Sequence, residues 1–156
     1  MQHDPRFIII MGVAGSGKTT IGRGLAARLG VPFHDGDNLH SPANIIKMAA
    51  GIPLEDEDRA GWLVTLAALV RDGLSGGQSG VIACSALKKK YRDVLRVDAR
   101  RVRFVYLRGN YDAIRARMQQ REEHFMRPEM LRSQFDVLEE PAHAIQINAI
   151  AEPDAI

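Results

Sequence analysis

The sequence predicts an α/β domain in which a five-stranded parallel sheet is flanked by helices, and three observations support this fold class. Short runs of aliphatic and aromatic residues alternate with longer segments that carry helix start and stop signals. Strands that alternate with helices pair in parallel through right-handed crossovers, which places helices on both faces of the sheet. The chain has 156 residues, 46% of them hydrophobic, and shows no repeat or linker, so residues 1–156 are expected to form a single domain.

The first half of the chain is predicted to contain two strands and three helices. Residues 7–11 are continuously apolar, as a strand buried on both faces requires. Ser41 followed by Pro42 is typical of an N-cap and the first helical position, and acidic residues at 56–58 suit the start of a further helix. The predicted strands are 7–11 and 31–34, and the predicted helices are 19–29, 42–50 and 56–74.

The second half is predicted to contain three strands, at 81–84, 102–107 and 144–148, and three helices, at 89–96, 111–123 and 128–138. The last strand is expected at or near an edge of the sheet, where apolar surface and unpaired backbone need a cover. Residues 152–154 are typical of the opening of a covering helix that this chain does not contain. We therefore expect either a homodimer or a C-terminus that is poorly ordered over about ten residues.

Charge, cysteine content and hydropathy exclude several classes of protein. Lys and Arg number 21 and Asp and Glu 19, and this net charge of +2 is too balanced for a surface dedicated to nucleic acid. Cys84 is the single cysteine, which excludes an intrachain disulfide and fits a reducing compartment. The longest nearly apolar stretch, 62–70, is far shorter than the roughly 20 residues of a membrane helix. We therefore expect a cytoplasmic protein with no nucleic-acid or membrane partner.

A nucleotide-binding motif, G-x-x-x-x-G-K-T, lies between the first strand and the first helix, which is the context that the motif needs. Its glycines let backbone N–H groups turn towards a phosphate, and the positive end of the following helix faces the same point. Lys18 is expected to reach the β- and γ-phosphates of ATP, and the hydroxyl of Thr19 to bind Mg²⁺. The predicted nucleotide-binding residues of this segment are Gly12, Gly15, Ser16, Gly17, Lys18, Thr19 and Thr20.

Polar residues also follow the second and third predicted strands, at the edge of the sheet where ligands bind in this class of fold. After the second strand come Asp35 and Asp37. One carboxylate there can hold the water shell of a metal ion, and the other can accept the proton of an attacking hydroxyl. After the third strand, Ser85 and Lys88 can face the site, whereas Cys84 is expected to be a small buried residue rather than a nucleophile.

Arginines in the last third of the chain indicate a lid. Arg117 and Arg121 are four residues apart and share one face of a predicted helix. Arg127 follows in a segment rich in methionine and polar residues, and arginines in such a segment suit closure over phosphates with exclusion of water. The lid is predicted at about residues 121–133. A surface helix whose arginines pair with nearby glutamates is the alternative interpretation.

Four segments, taken in order, closely resemble those of the small P-loop gluconate kinases, which are relatives of the shikimate and nucleoside monophosphate kinases. The P-loop alone would indicate only a nucleotide enzyme, whereas four such segments in this order are far more specific. The resemblance covers about residues 7–141. The segments are 35–40; 44–48 with 51–59 and Trp62-Leu63; 84–88 with 91–93 and Leu95-Arg96; and His124-Phe125-Met126 with Leu131, Ser133-Gln134-Phe135 and Leu138-Glu139.

The resemblance implies a three-layer P-loop kinase fold with a small lid, and a reaction in which ATP phosphorylates the 6-hydroxyl of D-gluconate. The products are 6-phosphogluconate and ADP. It implies that Asp37 deprotonates the hydroxyl while Asp35 lies in or near the water shell of a Mg²⁺ ion bound by Thr19. The implied catalytic residues are Lys18, Asp35 and Asp37, and the implied substrate-binding residues are Asp37, Arg59, Lys88, Arg92 and His40.

The same resemblance implies roles for the arginines and an assembly state. Arg117 would lie against adenine, and Arg121 and Arg127 would cover the phosphates during transfer. The carboxylate of gluconate needs a fixed cation, for which Arg59, Lys88 and Arg92 are all candidates. Gluconate kinases of this type are commonly dimeric, so a homodimer is expected here.

Two other functions remain open from the sequence. Shikimate is also a hydroxylated carboxylate, so a shikimate kinase would need similar charges, but such enzymes have a glycine-rich stretch where this chain has 84–88. A nucleotide-binding switch without turnover would lack a committed base and a lid. The pair of aspartates and the cluster of arginines argue against it.

Overall fold

The computed structural model describes residues 4–120 and 128–149. Its elements alternate along the chain as the sequence predicts, and most begin or end within two residues of the predicted positions. In chain order they are β1 (Phe7–Met11), α1 (Lys18–Leu29), β2 (Phe33–Asp35), a 3₁₀ helix (Gly36–Leu39), α2 (Pro42–Ala49), α3 (Asp56–Ser75), β3 (Gly80–Ala83), α4 (Lys89–Leu95), β4 (Val102–Arg108), α5 (Tyr111–Gln120), α6 (Pro128–Val137) and β5 (Ile145–Asn148).

The five strands form one sheet in the order β2-β3-β1-β4-β5, and every neighbouring pair is parallel. This confirms the predicted α/β fold with a five-stranded parallel sheet. The strand β5 lies at one edge, as expected for 144–148, and β1 lies in the centre. The nucleotide motif therefore leaves the most enclosed strand of the sheet, where its backbone is held from both sides.

Helices cover both faces of the sheet, so the domain has three layers. Alternate residues of β1 point to opposite faces, as the pleat of a strand requires. Phe7 and Ile9 belong to a buried cluster with Leu66 of α3 and Leu95 of α4. Ile10 packs on the opposite face, in a cluster that includes Ala26 of α1. Both faces of β1 are thus buried, as its continuous apolar sequence predicts.

A short 3₁₀ helix follows β2, and this element was absent from the predicted set. The carboxylate of Asp35 accepts the backbone N–H of Asp37 at 3.0 Å and so caps this turn. The indole Nε1 of Trp62 donates to the carbonyl of Gly36 at 2.7 Å. A Cβ at Gly36 would lie 2.6 Å from the carbonyl oxygen of Ala83. Glycine is therefore required there for the turn to lie against β3.

Two predicted features fall outside the described residues. The first is the part of the lid at residues 121–127, and the second is the C-terminal segment 150–156. The structure therefore does not test the predicted helix opening at 152–154. Residues 128–133 of the predicted lid form the first turns of α6. Within the described part of the chain, no helix is long and apolar enough to cross a membrane.

Candidate active site

The nucleotide motif forms a tight loop between β1 and α1, and its glycines are needed for that shape. The φ values are +153° at Gly12, +77° at Gly15 and +98° at Gly17, a range of backbone conformation that residues with side chains rarely adopt. A Cβ at Gly12 would lie 2.7 Å from Oγ of Ser16. This conformation lets successive N–H groups face one point, as phosphate binding by such loops requires.

Ser16 provides a test of whether an anion fits the loop. Its side chain is 1% exposed, and its Oγ has no hydrogen-bond partner among the described residues. Buried hydroxyl groups are almost always hydrogen-bonded, because leaving one unpaired costs about 1–3 kcal/mol. A phosphate group in the loop would bring acceptor oxygens to this region, so the loop fits the nucleotide that its sequence predicts.

The ammonium group of Lys18 lies inside the loop and donates to the carbonyl oxygen of Val13 at 3.0 Å. Burial lowers the pKa of Lys18, and the negative charges of Asp37 and Asp35 act in the opposite direction. Both predicted carboxylates are therefore close enough to Lys18 to affect its ionisation. The three predicted catalytic residues come together although they belong to two different strand ends.

The two carboxylates differ in their surroundings. Asp35 ends β2, is partly buried, and accepts the N–H of Asp37. The residue Asp37 lies in the 3₁₀ helix and is exposed, and among the carboxylates it has the larger effect on Lys18. One carboxylate is thus tied to the backbone, and the other is open to a substrate.

His40 lies behind the aspartates rather than at the surface. Its ring is 8% exposed and stacks on that of Trp62, with centroids 4.2 Å apart and an interplanar angle of 14°. The side-chain nitrogen of Asn44 donates to the carbonyl of Asp58 at 2.7 Å and approaches Nδ1 of His40 at 3.2 Å. Burial lowers the pKa of His40, which favours the neutral form of the ring.

A network of charges surrounds Asp56 at the start of α3. Its carboxylate accepts from Lys88 at 3.0 Å, and also from Lys90 and from the hydroxyl of Tyr91. These hydrogen bonds hold the pKa of Asp56 well below its usual range, and the one from Lys90 lowers it most. Nη1 of Arg59 donates to the same tyrosine hydroxyl at 3.1 Å. Two of the three candidate cations for a substrate carboxylate, Lys88 and Arg59, therefore lie in one network around the protein's own carboxylate, Asp56.

Arg92, the third candidate cation, points away from that network. It is 5% exposed, and its guanidinium donates to the carbonyl oxygens of Ala86 and Glu139, at 2.8 Å in both cases. Ala86 has a φ of +45°, which is unusual for a residue with a side chain. The arginine thus holds a strained loop from behind through two backbone contacts.

Cys84 is fully buried, as predicted. Burial raises the pKa of its thiol to about 12, and the charge of Asp37 acts in the same direction. The reactive thiolate form is therefore scarce at neutral pH, which agrees with a packing role.

Helix α5 lies against the nucleotide loop. A Cβ at Gly15 would lie 2.6 Å from Cγ of Met118, and one at Gly17 would lie 3.6 Å from Nη1 of Arg117. The predicted nucleotide-binding Arg117 is therefore beside the loop. Arg121 and Arg127 lie outside the described residues.

Oxygen donors suited to Mg²⁺ are present at the same point. Thr19 is the second residue of α1, and Asp35 ends β2 at the same edge of the parallel sheet. Mg²⁺ keeps several waters and is bound by few protein groups together with substrate phosphates. Within residues 4–120 and 128–149, no three His, Cys, Asp or Glu side chains form a metal-binding cluster. This donor set suits Mg²⁺ held jointly with a nucleotide.

Three residues with contacts in this region were not among the predicted site residues. Gln134 accepts the backbone N–H of Ala14 in the nucleotide loop, and Glu139 accepts that of Lys89 at the start of α4. Tyr91 joins Arg59 to Asp56. All three stand in the segments that carry the family resemblance, and this was the available signal.

Comparisons with known proteins agree on one group of enzymes. The family model described as shikimate kinase matches residues 14–146. A gluconokinase of Gluconobacter oxydans is 43% identical over an alignment that covers 100% of this chain and 89% of that protein. The thermosensitive gluconokinase of Escherichia coli is 51% identical, with 85% of this chain and 71% of that protein covered.

Solved structures give the same result at the level of the fold. The crystal structure of a gluconokinase from Sinorhizobium meliloti 1021 has a TM-score of 0.89 and 37% identity, covering 99% of this chain and 88% of that one. A sugar kinase from Janibacter has a TM-score of 0.90 and 45% identity, covering 97% and 89%. A shikimate kinase of Aquifex aeolicus is 17% identical, with a TM-score of 0.55 and coverage of 96% and 89%, and shares the fold alone.

Proposed function

Because the chain belongs to the gluconokinases, within the group that the shikimate kinase family model matches, we propose that it transfers the γ-phosphoryl group of ATP to the 6-hydroxyl of D-gluconate. The products are 6-phosphogluconate and ADP. The observation that carries this proposal is the exposed carboxylate of Asp37 close to Lys18 in the nucleotide loop. A base beside the phosphate-binding lysine is what transfer to a hydroxyl requires.

Each residue has a defined part in the proposed reaction. The N–H groups from Gly15 to Thr19 and the ammonium of Lys18 hold the phosphates. Asp37 orients the 6-hydroxyl and accepts its proton as oxygen attacks the γ-phosphorus. Mg²⁺, held by Thr19 and through water by Asp35, would neutralise charge on the phosphates. Positioning and charge stabilisation thus account for catalysis, as is general for phosphoryl transfer.

Arg59 is the best candidate to hold the carboxylate of gluconate. Lys88 already pairs with Asp56, and this hydrogen bond raises the pKa of the lysine. Both contacts of Arg92 are with backbone carbonyls in a buried position. The guanidinium of Arg59 donates to the neutral hydroxyl of Tyr91, so the charge of Arg59 is available to a substrate anion.

Replacing Arg59 with alanine should raise the KM for gluconate about tenfold or more and leave the KM for ATP nearly unchanged. The expected size is that of a charge-assisted hydrogen bond, about 1.5–3 kcal/mol. Steady-state kinetics with each substrate varied measure both constants. Arg71→Ala is the matched control, because Arg71 is an exposed arginine further along the same helix. A lower melting temperature with an unchanged KM for gluconate would show that Arg59 is structural.

The choice of substrate is tested by measuring ADP release with gluconate, shikimate, glucose and nucleoside monophosphates in parallel. Relatives named gluconokinase at more than 40% identity favour gluconate, whereas the name of the matching family model keeps shikimate as the second candidate. Turnover with shikimate in place of gluconate would overturn the proposal. Nucleotide binding without turnover on any acceptor would indicate a switch.

We further propose that the protein is a cytoplasmic, Mg²⁺-dependent homodimer. Large apolar side chains are exposed on and after α2, at Ile45, Ile46 and Ile52, and Ile145 is exposed on the edge strand β5. Burying such surface against a second copy would stabilise the assembly. Light scattering coupled to size-exclusion chromatography should therefore give twice the chain mass of 17.3 kDa. The chain mass itself, at micromolar concentration, would contradict the dimer.

A further inference from the structure

Residues 134–139, at the end of α6 and just after it, contact both sides of the active site. This segment belongs to the last part of the family resemblance, to which no role was assigned. Its contacts involve the nucleotide loop at one end and the loop between β3 and α4 at the other. The two loops hold different substrates in the proposed reaction.

Gln134 contacts the nucleotide loop directly. Its side-chain oxygen accepts the backbone N–H of Ala14 at 2.7 Å, across 120 residues of sequence. Ala14 precedes Gly15, where the phosphate-binding N–H groups begin. Because the glycines make this loop intrinsically permissive, an external hydrogen bond at Ala14 restricts the directions in which the following N–H groups can point.

Glu139 makes three hydrogen bonds with the other loop and with helix α4, which follows that loop. Its Oε1 accepts the N–H of Lys89 at 2.7 Å, its own N–H donates to the carbonyl of Leu87 at 2.8 Å, and its carbonyl accepts from Arg92 at 2.8 Å. Lys88 lies between the two residues that are held. Glu139 therefore holds the backbone on both sides of Lys88, whose ammonium contacts Asp56.

Apolar packing makes the segment a firm support. Leu131 of α6 is 1% exposed and belongs to one buried cluster with Val13 of the nucleotide loop, Leu87 of the second loop and Ile114 of α5. The two loops also meet directly, since the N–H of Gly12 donates to the carbonyl of Ser85 at 3.3 Å. Helix α6 thus contacts both loops through the core as well as through the two polar side chains.

We propose that Gln134 and Glu139 are positioning residues that fix the nucleotide loop and the acceptor-side loop relative to each other. The proposal rests on the proposed function for the identity of the acceptor, but not for the effect on nucleotide. Gln134 acts on ATP through Ala14, and Glu139 acts on the acceptor through Lys89. Loss of either contact should therefore impair a different substrate.

The first test is Gln134→Met, which keeps the length of the side chain and removes its acceptor. We expect the affinity for ADP, measured by calorimetry, and kcat/KM for ATP each to fall about fivefold, the effect of one hydrogen bond. The KM for gluconate should stay the same. The Ala14 amide should exchange with solvent faster, as NMR hydrogen exchange measures, whereas that of Lys89 should not. Ser133→Ala is the matched control, because that hydroxyl donates to the carbonyl of Met130 within the same helix.

The second test compares Glu139→Met with Glu139→Gln. The glutamine keeps an oxygen for the N–H of Lys89, so it should retain wild-type kinetics and Lys89 exchange. The methionine should raise the KM for gluconate about fivefold, speed exchange at Lys89 and leave ADP affinity unchanged.

Two results would overturn this proposal. One is wild-type exchange rates and ADP affinity in Gln134→Met. The other is an equal change of every parameter, together with a lower melting temperature, in both methionine variants, which would indicate a structural role alone. Absence of gluconate turnover in the unsubstituted protein would instead contradict the proposed function, and ADP affinity and amide exchange would still decide the positioning role.

Discussion

Replacing Lys18 with alanine should abolish turnover while leaving the fold intact. The ammonium group lies within the nucleotide loop, where its positive charge would stabilise the negative charge that develops on the γ-phosphate. Loss of one such donor costs about 3–4 kcal/mol, which is at least 100-fold in kcat. Burial lowers the pKa of Lys18, so its charge is held in the folded state at a cost. The melting temperature should therefore stay the same or rise.

The measurement is kcat from ADP release, with circular dichroism and thermal unfolding to check the fold. Arg71→Ala serves again as a control for the removal of a cation, because that side chain is exposed. A Lys18→Ala protein that retains more than about a tenth of the wild-type kcat, a loss under about 1.4 kcal/mol, would contradict the assignment of the nucleotide loop.

Replacing Asp37 with asparagine should lower kcat about 100-fold or more and change the KM for gluconate far less. The amide keeps the size of the side chain and some hydrogen bonding but accepts no proton, and general bases contribute about 10²–10⁴ in rate. The matched variant is Asp35→Asn, which places the same change two residues away. Its main effect should be a higher Mg²⁺ requirement, because Asp35 is proposed to hold the water shell of the metal.

The same pair of variants should differ in pH dependence. The charge of Asp37 raises the pKa of Lys18, so its removal lowers that pKa further. Lysine is charged below its pKa, and the basic limb of the kcat/KM profile for ATP should therefore move to lower pH in Asp37→Asn. Asp35 has a smaller effect on Lys18, so Asp35→Asn should shift this limb less. Equal, small effects of both variants on kcat and on the Mg²⁺ titration would contradict both roles.

Much of the fold follows from local sequence. Apolar runs identify the strands because a parallel sheet covered on both faces needs residues such as Ile9 and Ile10 pointing both ways. The tight loop at Gly17 and Lys18 could be predicted, because the motif needs one backbone conformation to turn its N–H groups towards a phosphate. The packing role of Cys84 could be predicted because it follows a buried strand, where a charged thiolate would have no contact with solvent.

The rest depends on contacts between distant residues, which spacing does not encode. The 3₁₀ helix after β2 depends on a hydrogen bond from Trp62, 26 residues beyond Gly36. Basic residues from 88 onwards look equivalent in sequence, yet Lys88 pairs with Asp56, Lys89 with Asp93, and Arg92 turns inward to the backbone. Which cation is available to a substrate is thus decided by tertiary packing.

The hydrogen bond between Ala14 and Gln134 can form only late in the synthesis of the chain. Residue 14 is made early, and its partner is made 120 residues later. At roughly 5–20 residues per second, that interval is about 6–24 seconds of synthesis. During this time the nascent protein carries a complete nucleotide motif without the hydrogen bond that orients it. With the proposed role of Gln134, the nucleotide loop therefore reaches its final orientation only after α6 has been translated, late in the synthesis of the described fold.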